Sequence, residues 1–257
     1  MENSYHFIFG MARSGHTAIL YQIADQFKEK KMLGGKKIYE RKWKIFEEDN
    51  FDSKDMNFIF NFSDMDMGNY RKYFYGEKYF NFSKIPKPCK IFNILILRDP
   101  FNWMASCMKF DNKRPFFSKC LDKAVDPYWK NALLAGTTRI DLYKTQLRLA
   151  MNKKEQKKYK NFIIINYNKW FVEKKYRKWI VTEKLGLDNF VDNKINQVAE
   201  AGGGSSFDKM SFQHRAQNMD VLNRWKYFEN DERYMRLVSD PELVKFSEEF
   251  FDFNPLK

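Results

Sequence analysis

One octapeptide constrains this chain more than any other feature. Gly10-Met11-Ala12-Arg13-Ser14-Gly15-His16-Thr17 follows a short apolar run at residues 6–9. After it, Ile19, Leu20, Ile23 and Phe27 repeat at helical spacing. The order is strand, tight turn, helix. The pattern is G-x-x-x-x-G-K-[ST] with His16 where the lysine would stand. Glycines let the backbone curl until successive N–H groups converge, and the helix amino terminus adds about half a positive charge. Arg13 places a fixed cation inside the turn. An anion cradle is the expectation, although a plain strand-to-helix turn with an exposed arginine would read the same way. In ATPases and kinases the lysine of this pattern reaches the terminal phosphates. Here the cation sits three positions earlier, which suits a shorter phosphate chain.

The rest of the chain repeats the alternation. Strands are expected at residues 36–40, 57–62 (NFIFNF), 91–97 (IFNILIL) and 162–165 (FIII). Nearly continuous apolar runs such as the last two belong to parallel strands covered on both faces. Helices are expected after Asp99-Pro100, over 128–151, from Asn166 towards Leu185, and over 217–250 with a break at Asp240-Pro241. Residues 192–206 read as irregular. These elements predict an α/β fold, a three-layer and mainly parallel sheet flanked by helices, P-loop NTPase-like, in a single domain over 1–257. No apolar stretch approaches the 18 residues of a membrane span, and the start of the chain lacks a signal-peptide pattern. Cys89, Cys107 and Cys120 form no CxxC pair and only three histidines exist, so no metal site is expected and reduced thiols point to the cytoplasm.

Charge narrows the choice of partner. Lys plus Arg number 46 against 33 Asp plus Glu, a net +13, which favours anionic ligands if it is not simply a solvated surface. Arg98 ends the 91–97 strand, where the ligand crevice of a parallel sheet lies. Ser106 falls two turns into the following helix, near enough to share an anion with Arg98. Asp99 can cap that helix with Pro100 at its first position, or hold Mg²⁺ in the manner of a Walker B strand; the cap is the preferred reading. Residues 70–87 interleave aromatics with Lys and Arg, as core packing with a solvated face or as a platform for a sugar.

Taken in order, these segments resemble the sulfotransferase family that uses 3′-phosphoadenosine 5′-phosphosulfate (PAPS). Ala12-Arg13-Ser14-Gly15-His16-Thr17 is similar to the family's 5′-phosphosulfate loop. Leu97-Arg98-Asp99-Pro100 with Ser106 resembles its 3′-phosphate strand and helix. Asn166-Tyr167-Asn168-Lys169-Trp170-Phe171, followed by Leu185-Gly186-Leu187, resembles its tyrosine-containing stretch. Gly202-Gly203-Gly204-Ser205-Ser206 stands where the family closes over the nucleotide, and Trp225 and residues 250–254 resemble the terminal helices. His16 replaces a small hydroxyl residue, and Asn168-Lys169 replace an acidic pair.

The resemblance implies PAPS as donor and a small-molecule or glycan acceptor presenting a hydroxyl or amine, with neither nucleic acid nor membrane as partner. Arg13, Ser14, Gly15, His16 and Thr17 would hold the 5′ side, Arg98 and Ser106 the 3′-phosphate, and Tyr167 would lie near the adenine. Gly203, Gly204 and Ser205 would offer amides, with Arg215 as a substitute cation. Arg13 would also serve catalysis. The base is expected at Glu40 or His16, with Asp64 and Asp66 as further candidates. A P-loop kinase or NTPase and a basic nucleic-acid-binding protein are the competing readings; no nucleic-acid motif supports the latter.

Overall fold

The computed structural model describes residues 3–28, 30–34, 57–63, 89–110, 121–123, 137–198 and 205–257. Among these, β1 (Asn3–Gly10), β2 (Lys30–Gly34), β3 (Asn57–Ser63), β4 (Cys89–Leu97) and β5 (Phe162–Asn166) form one sheet in the order β2-β3-β1-β4-β5. Every pairing is parallel. The helices are α1 (His16–Ala24), α2 (Pro100–Phe110), α3 (Arg139–Met151), α4 (Lys153–Gln156), α5 (Tyr167–Val172), α6 (Lys174–Trp179), α7 (Glu232–Val238) and α8 (Pro241–Phe246). The expected three-layer α/β fold of P-loop type is therefore the fold of the chain.

The period-2 alternation of strand side chains builds the two outer layers. Tyr5, Phe7, Phe9, Leu95 and Leu97 enter a core with Phe101, Trp103, Tyr143, Leu147, Tyr234 and Leu243, under α2, α3, α7 and α8. Ile8, Ile94, Ile96, Ile163 and Ile165 enter the opposite core with Ile19, Leu20, Ile23, Trp170 and Ile180, under α1, α5 and α6. Aromatics thus fill one face of the sheet and branched aliphatics dominate the other. β1 and β4 are neighbours, yet the helices that leave them, α1 and α2, pack on opposite faces. That divergence opens a crevice at their carboxyl ends.

Local chemistry explains the starts of the helices. Thr138 caps α3 by accepting from the Asp141 amide at 3.0 Å, and Asn166 caps α5 by accepting from Lys169 at 3.2 Å. Asp240 accepts from the Glu242 and Leu243 amides, with Pro241 at the first helical position. A strand not expected from the sequence is seen at Lys30–Gly34; the expected 36–40 lies outside the described residues. Two expectations need correction. The long helix expected from residue 128 is seen as Arg139–Met151; residues 128–136 are outside the described residues. The closing stretch is not one broken helix but short pieces: 3₁₀ turns at Ala216–Asn218 and Arg224–Phe228, then α7, α8 and a π turn at Ser247–Phe251.

Candidate functional site

The first βα turn is built as a cradle. Arg13 and Gly15 both take left-handed backbone, with φ of 72° and 81°. A non-glycine residue there stores strain that the surroundings must hold. The Ser14 amide donates to the Met11 carbonyl at 3.1 Å, tightening the turn. Two buried donors pin the turn from below: Trp103 Nε1 and Arg139 Nη2 reach the Ala12 carbonyl at 3.0 and 3.2 Å. Gly10 has no room for a side chain, because a Cβ there would lie 3.1 Å from the Ile96 carbonyl oxygen and 3.2 Å from His16 Cβ. Gly15 caps α1 without any side-chain hydrogen bond, so the amino terminus of the helix opens on the turn with no capping side chain over it. Ser14 is fully buried, and its Oγ has no hydrogen-bond partner among the described residues.

Arg98 stands at the end of β4 with its guanidinium 1% exposed. Nη1 donates to Ser106 Oγ at 2.9 Å and to the Arg13 carbonyl at 3.4 Å; Nη2 donates to the Val221 carbonyl at 2.5 Å. The Arg98 carbonyl accepts from the Tyr143 hydroxyl. Nε is buried with no partner among the described residues. A third cation, Arg224, comes from the closing stretch; it donates to Ser205 Oγ at 2.8 Å and Asp208 Oδ2 at 3.0 Å, and its Nε also lacks a partner among the described residues.

These guanidiniums crowd one another. Burial pushes Arg13 down to about 10, and the neighbouring Arg98 and Arg139 add to that, partly offset by Cys107 and Tyr167. Burial likewise pushes Arg224 down to about 10, with Arg98 as its repelling neighbour. At about 10, Arg13 and Arg224 stay charged at neutral pH. Concentrated positive charge taken out of water calls for an anionic ligand.

The cations face one cleft of about 110 Å³ at the β1/β4 crevice. Of the residues expected in the site, Arg13, Gly15, His16, Thr17, Arg98, Tyr167 and Ser205 line it. Ser14 sits inside the turn, and Ser106 stands behind Arg98 as its hydrogen-bond partner. The Tyr167 ring presses on the turn so closely that a Cβ on Gly15 would fall 2.0 Å from its Cε2. Glu40, Asp64, Asp66, Gly203, Gly204 and residues 70–87 lie outside the described residues. Arg215 does not line the cleft; it is exposed, with its guanidinium 5.4 Å from the Phe212 ring. Arg224 stands where that substitute cation was sought, immediately before Trp225. Ser206, from the Gly202–Ser206 stretch, also lines the cleft, as do Gln197 and Met219, which no motif announces.

Asp99 is a cap. It is fully buried, accepts from the Asn102 amide at 2.8 Å and from Asn102 Nδ2 at 3.1 Å, and does not line the cleft. Burial raises its carboxyl above the ordinary range in spite of Arg98. Among the described residues no group of three His, Cys, Asp or Glu could hold a metal ion, and no helix is long and apolar enough to cross a membrane.

No family model and no curated protein matches the sequence. Among solved structures, the chain is similar to the crystal structure of mouse sulfotransferase SULT7A1 complexed with PAP, at 15% identity and a TM-score of 0.49, over 97% of this chain and 86% of that one.

Proposed function

We propose that the chain is a sulfotransferase that moves a sulfuryl group from PAPS to a hydroxyl or amine. One observation carries this reading. Guanidiniums from three separate segments, Arg13, Arg98 and Arg224, face a single cleft whose described lining contains no carboxylate. The turn amides and Arg13 offer one anion position, and Arg98 with Arg224 offers another. A nucleotide with phosphate on both its 5′ and 3′ sides presents that pattern, and a 5′-monophosphate does not. The buried, unpartnered Arg98 Nε and Arg224 Nε fit such a group, because a charged acceptor supplies the hydrogen bonds they lack.

PAPS would supply a neutral SO₃ unit joined to a phosphate that leaves with the bond's electrons. The protein's part is to meet the growing charge on that phosphate and to take the acceptor's proton. Arg13 and the amides of the turn suit the first task. His16 lines the cleft, and Glu40, chosen from its place after the expected 36–40 strand, lies outside the described residues; these are the two candidates for the base. The described residues belong to a single P-loop-type domain, and the acceptor falls in the small-molecule or glycan class.

The test is a thermal shift with adenosine 3′,5′-bisphosphate in the presence of EDTA, followed by a transfer assay with PAPS. Stabilisation that persists in EDTA supports the reading. Stabilisation that EDTA abolishes moves the chain to the kinase class. Glu40→Gln and His16→Ala then separate the bases: the true one loses transfer while keeping the nucleotide.

A further inference from the structure

We infer that Gln22 is the residue that selects the base of the bound nucleotide, by accepting a hydrogen bond from an exocyclic 6-amino group. The inference rests on the transferase reading above and deepens it. Gln22 is on α1, one turn beyond the cradle, and is 1% exposed. It lines a second, smaller cavity walled by Ile19, Trp170 and Phe171, which shares Tyr167 and Met219 with the anion cleft. The two cavities therefore adjoin, with phosphate chemistry on one side and a flat aromatic environment on the other.

The orientation of the Gln22 amide is fixed by its partners. Nε2 lies 2.5 Å from the Val191 carbonyl and 3.3 Å from Asp192 Oδ1, both of which can only accept. Asp192 is held in turn by Arg177, which donates to its two oxygens at 2.9 and 3.0 Å. The nitrogen must face those acceptors, so Oε1 occupies the other end. That oxygen is buried and has no hydrogen-bond partner among the described residues. An unpaired amide oxygen on a side chain that lines a largely apolar cavity asks for a donor from the ligand. Adenine's 6-amino group supplies one, whereas a purine without it leaves Oε1 unpaired. The cavity encloses only about 30 Å³, and Met219, flexible and unbranched, is the wall that can yield to a heterocycle.

The experiment compares adenosine 3′,5′-bisphosphate with its purine riboside analogue, which lacks only the 6-amino group, by calorimetry. The wild-type chain should prefer the adenosine form by about tenfold to a hundredfold. Gln22→Leu should bring the two within about threefold. Gln26→Leu is the control: Gln26 also bonds Val191, through Nε2 at 2.7 Å and Oε1 at 2.8 Å, yet it does not line the cavity. A role confined to holding Val191 would lower both affinities together in both variants and leave the ratio intact, which would overturn the assignment. Equal wild-type affinity for the two nucleotides overturns it as well and leaves the transferase reading standing. Binding of neither overturns both. The wild-type comparison requires no variant, so the assignment is testable even if Gln22→Leu fails to fold.

Discussion

Arg98→Met separates the two things Arg98 does. The substitution keeps an unbranched apolar side chain and removes the guanidinium. In the free protein, Arg98 donates to the Val221 carbonyl, to Ser106 Oγ and, at the 3.4 Å limit, to the Arg13 carbonyl. The Val221 carbonyl lies in the closing stretch, so its loss unties that stretch from the end of β4. Leaving one buried acceptor unpaired costs about 1–3 kcal/mol, and the Ser106 hydroxyl can rotate towards another partner. Stability should therefore fall by about 2–3 kcal/mol, read by urea denaturation. The effect on ligand is separate. A charged donor to phosphate contributes about 1.5–3 kcal/mol, which is roughly tenfold to 150-fold in affinity. Wild type should bind adenosine 3′,5′-bisphosphate at least about tenfold more tightly than AMP, and Arg98→Met should remove most of that difference while sparing AMP. Calorimetry with both nucleotides on folded variant, at a temperature well below its denaturation midpoint, is the assay. Equal wild-type affinity for the two nucleotides, or an equal loss of both in the variant, would refute the assignment of a second anion to Arg98.

Arg13→Ala should lower kcat by about 10²–10³ and raise the nucleotide Kd much less, since the contact strengthens as charge grows on the leaving phosphate. Parallel losses in single-turnover rate and in affinity would make Arg13 an anchor only. Gly15→Ala should abolish nucleotide binding, because its Cβ would meet the Tyr167 ring at 2.0 Å and its φ of 81° disfavours any side chain; Tyr167→Ala in the same chain should remove the clash but not the backbone cost of about 1–2 kcal/mol, so wild-type stability in the double variant would argue against a strained turn. His6, stacked on Phe92 at 4.9 Å with its pKa pushed down to about 3 by burial, sets a pH dependence. The folded chain keeps it neutral while the unfolded chain protonates near 6.5, so its contribution is present above that pH and is lost as pH falls from about 6.5 towards 3, by at most about 1.4 kcal/mol per unit. Denaturant titrations at pH 7 and pH 4.5 should show a smaller drop in His6→Leu than in wild type, and identical drops would refute the buried neutral histidine.

What could be read from the sequence, and what could not, follows from the range of the forces involved. The cradle was legible because its parts are contiguous: a strand, two glycines, an arginine and a helix within a dozen residues, each with a local geometric reason. Arg98 was legible because an arginine that ends an apolar strand has few places to go. β2 is not legible because, among the described residues, it stands at the sheet edge paired with β3, and Lys30-Lys31-Met32-Leu33-Gly34 needs less apolar character than a central strand. The segment 36–40 contains Ile38 and Tyr39 and looks more strand-like on propensity alone. In the closing stretch the break at Asp240-Pro241 is legible, and Asp240 caps the helix that follows; the start at Asp231 is hidden by helical apolar spacing on either side of it.

Arg224 shows the limit most clearly. Nothing around it repeats or punctuates; its role is set by Asp208 and Ser205, which hold the side chain, and by Arg98, which lies across the cleft from another part of the chain. Gln22 is the same kind of residue. Its meaning comes from Val191 and Asp192, which are placed by Gln26 and Arg177 rather than by anything near it in sequence. On the proposed reading the motif residues make a generic anion cradle, the part a strand-turn-helix can encode locally. The residues that would distinguish one nucleotide from another are supplied by tertiary packing, at positions where local pattern carries no signal. A sequence that keeps the cradle and changes Arg224 or Gln22 should therefore still bind an anion and lose its choice of which.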